Sequence, residues 1–265
     1  MLTAALPLMA QKGQPSLADL QKSAAAGDAK AQARLGIMYY EGSGGVKQDN
    51  KTASSWLLKA AAQNNTQAQY HLGMMYKDRG RNIRAKYWLE RCVLSGRPPC
   101  VGDAYAKLSL TITADDVEKD LGWLKKKADE ENDDTAQQIL GVFYCERVRM
   151  RDIETSFYYF QKSAQLGNRF GQFNLAQYYA NRVGDKCPSP EVDPEKAFYW
   201  YGKAAQQDHL MAQFNLGVCY SNAEGTPRDN RAGYIWIKRA ADRGLPLAIE
   251  ALKSPQFAQY IKDEK

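Results

Sequence analysis

A single phrase recurs along the whole chain: Ala-Gln, then Leu-Gly, then a tyrosine. LMAQFNLGVCY begins at residue 210, and related phrases begin at residues 30, 66, 135 and 170. Aligned on the Leu-Gly pair, six copies follow one another at intervals of 32 to 41 residues, and the second members of the pair are Gly36, Gly73, Ser109, Gly141, Ala176 and Gly217. Repeats of this length are built from one small structural element that stacks copy on copy.

The tryptophans provide an independent test of this alignment, because only the Leu-Gly pair was used to make it. All five occupy one position of the repeat, and a tyrosine fills that position in the fourth copy: Trp56, Trp88, Trp123, Tyr159, Trp200 and Trp236. In five copies an aspartate stands seven residues earlier, which is typical of a helix N-cap: Asp49, Asp116, Asp152, Asp193 and Asp229. Eight residues after the aromatic position the copies carry Asn64, Gly96, Glu131, Gly167, Asp208 and Gly244. Glycine and asparagine suit a left-handed helix C-cap.

Each copy is therefore predicted to be a helical hairpin. Helix A carries Ala-Gln, Leu-Gly and the tyrosine, whereas helix B carries the aspartate cap, the aromatic residue and Lys-Ala-Ala. Leu and Tyr are four residues apart on one face of helix A, and the glycine leaves space for a neighbouring helix. A hairpin of this size cannot bury its apolar face alone. The sequence thus predicts an all-α fold in which consecutive hairpins stack into a superhelix, an α-solenoid.

These motifs carry a family resemblance. The phrase A-x-x-x-L-G-x-x-Y, a loop such as EGSGGVKQDNKTA (41–53) and the helix WLLKAA (56–61) resemble the Sel1-like repeat family, relatives of the tetratricopeptide repeats. The resemblance is weakest in the third copy, where LSLTITADDVEKD replaces the phrase. We expect repeats at about 17–65, 66–97, 98–132, 133–168, 169–209 and 210–245, with 17–28 as an N-terminal cap and 246–265 as a C-terminal capping helix.

The resemblance implies a right-handed α-solenoid, and it implies a non-catalytic scaffold that binds another protein. Bacterial members of the family often work at or beyond the inner membrane as adaptors, host-interaction factors or immunity proteins. We expect a periplasmic immunity protein that binds and occludes a phospholipase effector of type VI secretion. The alternative is an adaptor in envelope or cytosolic signalling or assembly, which allows a cytoplasmic location, and a hydrolase is the second alternative.

The cysteines indicate the compartment. Cys92 and Cys100 bracket the turn VLSGRPP between two predicted helices, which favours a disulfide; a similar spacing between successive helices resembles the cysteine-rich, extracytoplasmic branch of the family. Cys145 and Cys187 become neighbours in the alignment and form a second candidate pair, whereas Cys219 occupies a core position and is predicted to be a buried free thiol. In a cytosolic protein all five would be reduced.

Composition narrows the function further. The net charge is +6, but the sequence lacks the dense Lys/Arg stripe that nucleic-acid binding needs. No apolar run is long enough to span a bilayer. The two histidines lie in different copies, and no H-E-x-x-H, C-x-x-C or G-x-S-x-G motif occurs, so we expect no metal, no cofactor and no catalytic residues. The apolar start MLTAALPLMA resembles a signal peptide that lacks its basic region, and we expect residues 1–16 to be a remnant of one or an N-terminal tail.

Candidate contacts with a partner lie where the repeat varies. One variable position follows the Leu-Gly glycine and includes Met74 and Gln177; the other follows the tyrosine and includes Tyr40, Lys77 and Ser221. The A-to-B loop KDRGRNIRAK (77–86) and the segment RVRMR (147–151) are cationic and would suit an acidic-surfaced effector enzyme. The predicted protein-binding residues are Tyr40, Met74, Lys77, Arg79, Arg81, Arg84, Gln177 and Ser221.

Overall fold

The computed structural model describes residues 15–99, 114–146, 152–182 and 191–263, and within them it contains helices and no strand. The all-α prediction is therefore confirmed for the described residues. The helices are α1 Leu17–Ala25, α2 Ala29–Glu41, α3 Asn50–Ala62, α4 Thr66–Asp78, α5 Asn82–Leu94, α6 Ala114–Asp129, α7 Asp134–Glu146, α8 Ile153–Gln165, α9 Arg169–Tyr179, α10 Pro194–Gln206, α11 Leu210–Asn222, α12 Asn230–Asp242, α13 Pro246–Ala251 and, after a short 3₁₀ turn at Pro255–Phe257, α14 Ala258–Asp263.

The chain forms two compact units, residues 1–117 and 118–265. In the N-terminal unit α2 packs on α3 and α4 on α5, and in the C-terminal unit α7 packs on α8, α9 on α10 and α11 on α12. These pairs are the predicted hairpins, each made of a helix A and a helix B. Successive hairpins also pack on one another within each unit. In the first unit α3 packs on α4; in the second, α8 packs on α9 and α10 packs on α11.

Aspartate begins the B helices, as predicted, in four repeats. The carboxylates of Asp49, Asp152, Asp193 and Asp229 accept hydrogen bonds from backbone N–H groups in the first turn of α3, α8, α10 and α12. These N–H groups have no partner within the helix, so the cap satisfies them. The prediction was wrong for Asp116. Because α6 already begins at Ala114, Asp116 lies inside the helix, where its carboxylate accepts from Asn82 Nδ2 at 3.2 Å.

Left-handed residues end the B helices near the predicted positions. Asn64, Gly96, Gly167, Asp208 and Gly244 all have positive φ. In the third repeat the positive φ falls on Asn132 instead of Glu131. Asparagine adopts this conformation at lower cost than glutamate, and the Asn132 side chain also accepts a hydrogen bond from Gln137 at 2.9 Å.

The Leu-Gly glycine allows helix B to approach helix A closely. A Cβ on Gly36 would lie 2.7 Å from Leu57 Cγ, and one on Gly73 would lie 2.6 Å from Leu89 Cγ. The same relationship recurs in the C-terminal unit, between Gly141 and Phe160 and between Gly217 and Ile237. The glycine is therefore required by packing, since any side chain would displace the buried residue opposite.

The glutamine of the Ala-Gln phrase joins four of the A helices, α2, α7, α9 and α11, to the helix before each of them. Gln32, Gln137, Gln172 and Gln213 each donate from Nε2 to an alanine carbonyl near the end of the preceding helix, at 3.0 to 3.3 Å. The last carbonyl groups of a helix have no N–H partner within the helix, so the glutamine supplies one for them. The recurrent glutamine thus holds successive helices in register.

The tryptophans pack across neighbouring hairpins, but most of them are only half-buried. Trp56 lies against the cluster formed by α1 and α2, and both Trp200 and Trp236 lie against the core of α9, α10 and α11. The residue after the aromatic position is buried in every repeat: Leu57, Leu89, Leu124, Phe160, Tyr201 and Ile237. The aromatic ring therefore packs at the edge of the core, whereas the residue after it lies inside the core.

Candidate functional site

The exposed side of the A helices, called the A face below, is the first candidate surface. It contains the residue that follows the Leu-Gly glycine, which is partly exposed in every described repeat: Ile37, Met74, Val142, Gln177 and Val218. The framework around it is fixed by the glycine and by the buried leucine. The A face can therefore change its chemistry from repeat to repeat without disturbing the packing.

In the N-terminal unit the A face forms a groove of about 610 Å³ between α2 and α4. Arg34, Ile37 and Met38 line it from α2, and Asn65 and Gln67 line it from the start of α4. Apolar walls with polar and cationic rims are what protein-binding surfaces usually offer. This groove is a place where a partner side chain or loop can be held.

Aromatic residues continue this surface toward the end of α4. The His71 ring lies edge-on to Tyr40 at 6.3 Å and to Tyr70 at 5.5 Å. Partial burial lowers the pKa of His71, so its ring is neutral near pH 7 and adds apolar area. Tyr40 is fixed because its hydroxyl donates to Asp78 Oδ2 at 2.6 Å, and burial raises its pKa to about 12. The predicted residue Met74 is partly exposed on the same helix.

Four of the predicted residues lie at the turn between α4 and α5, called the cationic turn below: Lys77, Arg79, Arg81 and Arg84. Lys77 and Arg79 are exposed, Arg81 precedes the first residue of α5, and the guanidinium of Arg84 lies 5.6 Å from the centre of the Tyr76 ring. The acid of this segment, Asp78, is engaged by Tyr40. The buried carboxylate of Asp116 accepts a hydrogen bond from the Asn82 backbone N–H at this turn, at 3.4 Å.

Gln177 has a structural role in the C-terminal unit. Its Oε1 accepts hydrogen bonds from the Tyr201 hydroxyl and from Asn215 Nδ2, so one side chain connects α9 to α10 and α11. The side chain is half-exposed, and a partner can reach only the part that these two donors leave free. Its neighbour Phe173 stacks on His209 at 4.3 Å.

Ser221 does not belong to the surface. It is 4% exposed, and its hydroxyl donates to the Gly217 carbonyl at 3.0 Å. Its equivalents Tyr40 and Lys77 are accessible, but opposite Ser221 the B helix has Gly233, and a Cβ there would lie 2.2 Å from Ser221 Oγ. The absent side chain makes the space in which Ser221 is buried.

A cleft that the sequence reasoning missed lies at the last A-to-B turn. Tyr220, Arg228, Arg231 and Tyr260 line an open cavity of about 650 Å³. Both arginines are exposed, and the described part of the chain provides neither with an ion pair. The motif TPRDNR (226–231) contains both arginines and could have indicated this cleft, but its position in the repeat predicted only a turn. The cationic segment 147–151 lies outside the described residues.

Of the cysteines, Cys219 is a buried free thiol, as predicted, and burial raises its pKa to about 11. The pairings Cys92–Cys100 and Cys145–Cys187 each involve a residue, Cys100 or Cys187, that lies outside the described residues. Both pairings therefore stay predictions.

Within the described residues no three His, Cys, Asp or Glu side chains come together as metal ligands. The helices of the same residues include none with the length and apolar character that crossing a bilayer requires.

Comparison with known proteins agrees with the helical repeats. The family model described as Sel1 repeat matches residues 29–65, 66–91, 135–168, 170–209 and 210–245, which make up more than half of the chain. Five of the six aligned copies are matched, and the third is not among these ranges. No curated protein matches the sequence.

Two solved structures are similar along most of the chain. A Sel1 repeat protein from Oxalobacter formigenes is 25% identical with a TM-score of 0.54, and the match covers 94% of this chain and 91% of that one. A protective antigen of uropathogenic Escherichia coli that displays an SLR fold is 26% identical with a TM-score of 0.50, and the match covers 91% of this chain. This chain spans only 53% of the antigen's length.

Proposed function

We propose that this chain, which belongs to the Sel1 repeat family, is a non-catalytic scaffold that binds an acidic protein through the A face and the cationic turn. Members of the family typically serve as protein-interaction scaffolds. The observation that carries the proposal is the cationic turn itself, where Lys77 and Arg79 are exposed and the segment 77–86 holds five cations against one acid, Asp78. The groove between α2 and the start of α4 adds apolar area in the same unit.

A rigid framework supports this function. The glycine contacts, the glutamine hydrogen bonds and the capped helix ends fix the A helices before any partner arrives. Little ordering free energy is then lost on binding, so a modest surface can hold a partner tightly. The same property suits a protein that covers the active cleft of an enzyme.

The narrower proposal is a periplasmic immunity protein that occludes a phospholipase effector of type VI secretion. It rests on the family resemblance and on the fit between a cationic surface and an acidic effector. Disulfides at Cys92 and Cys145, which stay predictions, would favour an oxidising compartment. The partners proposed for these residues are Cys100 and Cys187.

Affinity capture from the native host, followed by mass spectrometry, tests the proposal. The wild-type chain is compared with Lys77→Glu/Arg79→Glu and with the matched control Lys22→Glu/Lys126→Glu, which reverses two exposed cations on other helices. We expect wild type and control to retain one acidic protein that the first variant loses. Equal retention by all three would contradict a role for the cationic turn, and a partner without phospholipase activity would contradict the immunity proposal alone.

A further inference from the structure

A second surface lies on the opposite side of the C-terminal unit, on its B helices. Tyr158, Tyr199 and Ile235 are 48%, 53% and 54% exposed, respectively. All three occupy the same position of the repeat, directly before the aromatic position. Large apolar side chains that recur at one exposed position are uncommon on a surface that meets only water.

Helix geometry explains why these residues point outward. Each stands two positions before the buried residue that faces helix A, for example Phe160 opposite Gly141 and Ile237 opposite Gly217. Residues two apart on a helix point about 200° apart, so the side chain before the aromatic position faces away from helix A. Because the repeats stack, the three side chains follow one another along the outer face of α8, α10 and α12, and they are called the outer row below.

Charge is distributed unequally on the two sides of the outer row. Four residues after the tyrosines come Lys162 and Lys203, whose ammonium groups lie 5.0 and 5.4 Å from the ring centres of Tyr158 and Tyr199. Four residues before the tyrosines come Glu154 and Glu195, both exposed. The described residues offer no ion-pair partner to any of these four side chains. The outer row therefore has a basic rim on one side and an acidic rim on the other.

The last helix of the outer row, α12, contributes apolar area and little net charge. On the basic side of Ile235, Arg239 pairs with Asp208 at 2.8 Å and Lys238 pairs with Asp242 at 2.9 Å. On the acidic side stands Arg231, which departs from the glutamates of the two repeats before it. The rims are thus defined by α8 and α10, while α12 extends the apolar row.

We propose that the outer row binds a second copy of this chain. A two-fold axis that runs parallel to the row would place the acidic rim of one copy over the basic rim of the other, at both edges of the contact. The tyrosines would meet in the centre, where aromatic residues contribute most to binding. A surface that is its own electrostatic complement satisfies the requirement of an isologous dimer. The A face and the cationic turn remain free in this arrangement.

Sedimentation velocity across the micromolar concentration range tests the proposal with charge-reversed variants. We expect the wild-type chain to dimerise reversibly, with a dissociation constant that Glu154→Lys/Glu195→Lys or Lys162→Glu/Lys203→Glu alone raises about tenfold or more. Mixing these two variants should restore the dimer as a heterodimer, since opposite charges then face each other at both edges. Circular dichroism verifies that each variant is folded.

The mixing experiment separates this contact from other associations. An association that the two variants fail to recover on mixing, or that survives each of them unchanged, would overturn the two-fold geometry. A wild-type chain that stays monomeric throughout would overturn the proposal outright. If the monomer instead binds vesicles of anionic phospholipid through Tyr158 and Tyr199, the outer row is a membrane contact, which also overturns it.

Discussion

The carbonyl oxygen of Gly233 lies 2.8 Å from the position that a Cβ on Gly217 would occupy. Helix α12 thus rests directly on the backbone of α11, and Ile237 fills the space beside it, 2.6 Å from the same position. A backbone contact cannot adjust as a flexible side chain does. The Leu-Gly glycine of this hairpin therefore leaves little room for a side chain.

Gly217→Ala is expected to lower the free energy of unfolding by about 1–3 kcal/mol, because the added methyl group overpacks the contact. Gly202→Ala is the matched control, since nothing lies within 4 Å of its Cβ position in the middle of α10. Alanine there should raise stability by about 0.5–1 kcal/mol through helix propensity. Urea unfolding of both variants gives the comparison; equal effects of the same sign would refute the packing account.

His209 makes stability depend on pH. It is buried, caps α11 by accepting from the Ala212 N–H at 3.2 Å, and burial lowers its pKa to about 3. The unfolded chain binds this proton near pH 6.5, so the folded state is favoured fully above that pH and loses stability as pH falls toward 3. At pH 5 the loss should be about 2 kcal/mol.

The control for His209 is the substitution His209→Asn. Asparagine caps the A helices α4 and α9 at the equivalent positions Asn65 and Asn168, so the cap is retained while the titrating ring is removed. Thermal unfolding between pH 7 and 5 should show a shallower decline for this variant than for the wild type. Parallel pH profiles would show that His209 is not the group responsible.

Gln177 is expected to stabilise the fold as well as to lie at the A face. Gln177→Leu removes the acceptor for both Tyr201 and Asn215, and each unsatisfied buried donor costs about 1–3 kcal/mol. Tyr201→Phe removes one donor, so a double-mutant cycle between positions 177 and 201 should show coupling. Additive effects in urea unfolding would mean that the hydrogen bond contributes nothing.

Thiol counting tests the proposed disulfides. In the native protein Cys219 should not react with an aromatic disulfide reagent at pH 8, because burial raises its pKa to about 11. After unfolding without reductant, one thiol per chain should react when the protein comes from an oxidising compartment. Three or five reactive thiols would contradict at least one of the pairs Cys92–Cys100 and Cys145–Cys187.

Much of this fold could be predicted from the sequence, because the repeat places the same local physics at each position. Aspartate caps and left-handed residues act within a single turn, so Asp49 and Asn64 reveal helix ends without knowledge of the rest. The aromatic position was harder to interpret. Rarity drew attention to Trp200, but the helical phase relative to helix A buries its neighbour Tyr201.

The features of the candidate site that the sequence did not reveal share one cause. Whether Ser221 is exposed depends on Gly233, a residue of another helix, and the role of Gln177 depends on Tyr201 and Asn215. Alignment of the repeats compares equivalent positions, but it does not show which residue of a neighbouring helix contacts each position. The cleft with Arg228 and Tyr260 was missed for the same reason, since Tyr260 comes from the C-terminal end of the chain.

The most direct test of the binding account is hydrogen exchange measured by mass spectrometry on the chain alone and with its captured partner. We predict slower exchange in peptides that cover Ala29–Glu41, Thr66–Asp78 and the cationic turn, and unchanged exchange in peptides that contain Tyr158 and Tyr199. Slower exchange confined to the outer faces of the B helices, with the A helices unaffected, would contradict the claim that this protein binds its partner through the A face.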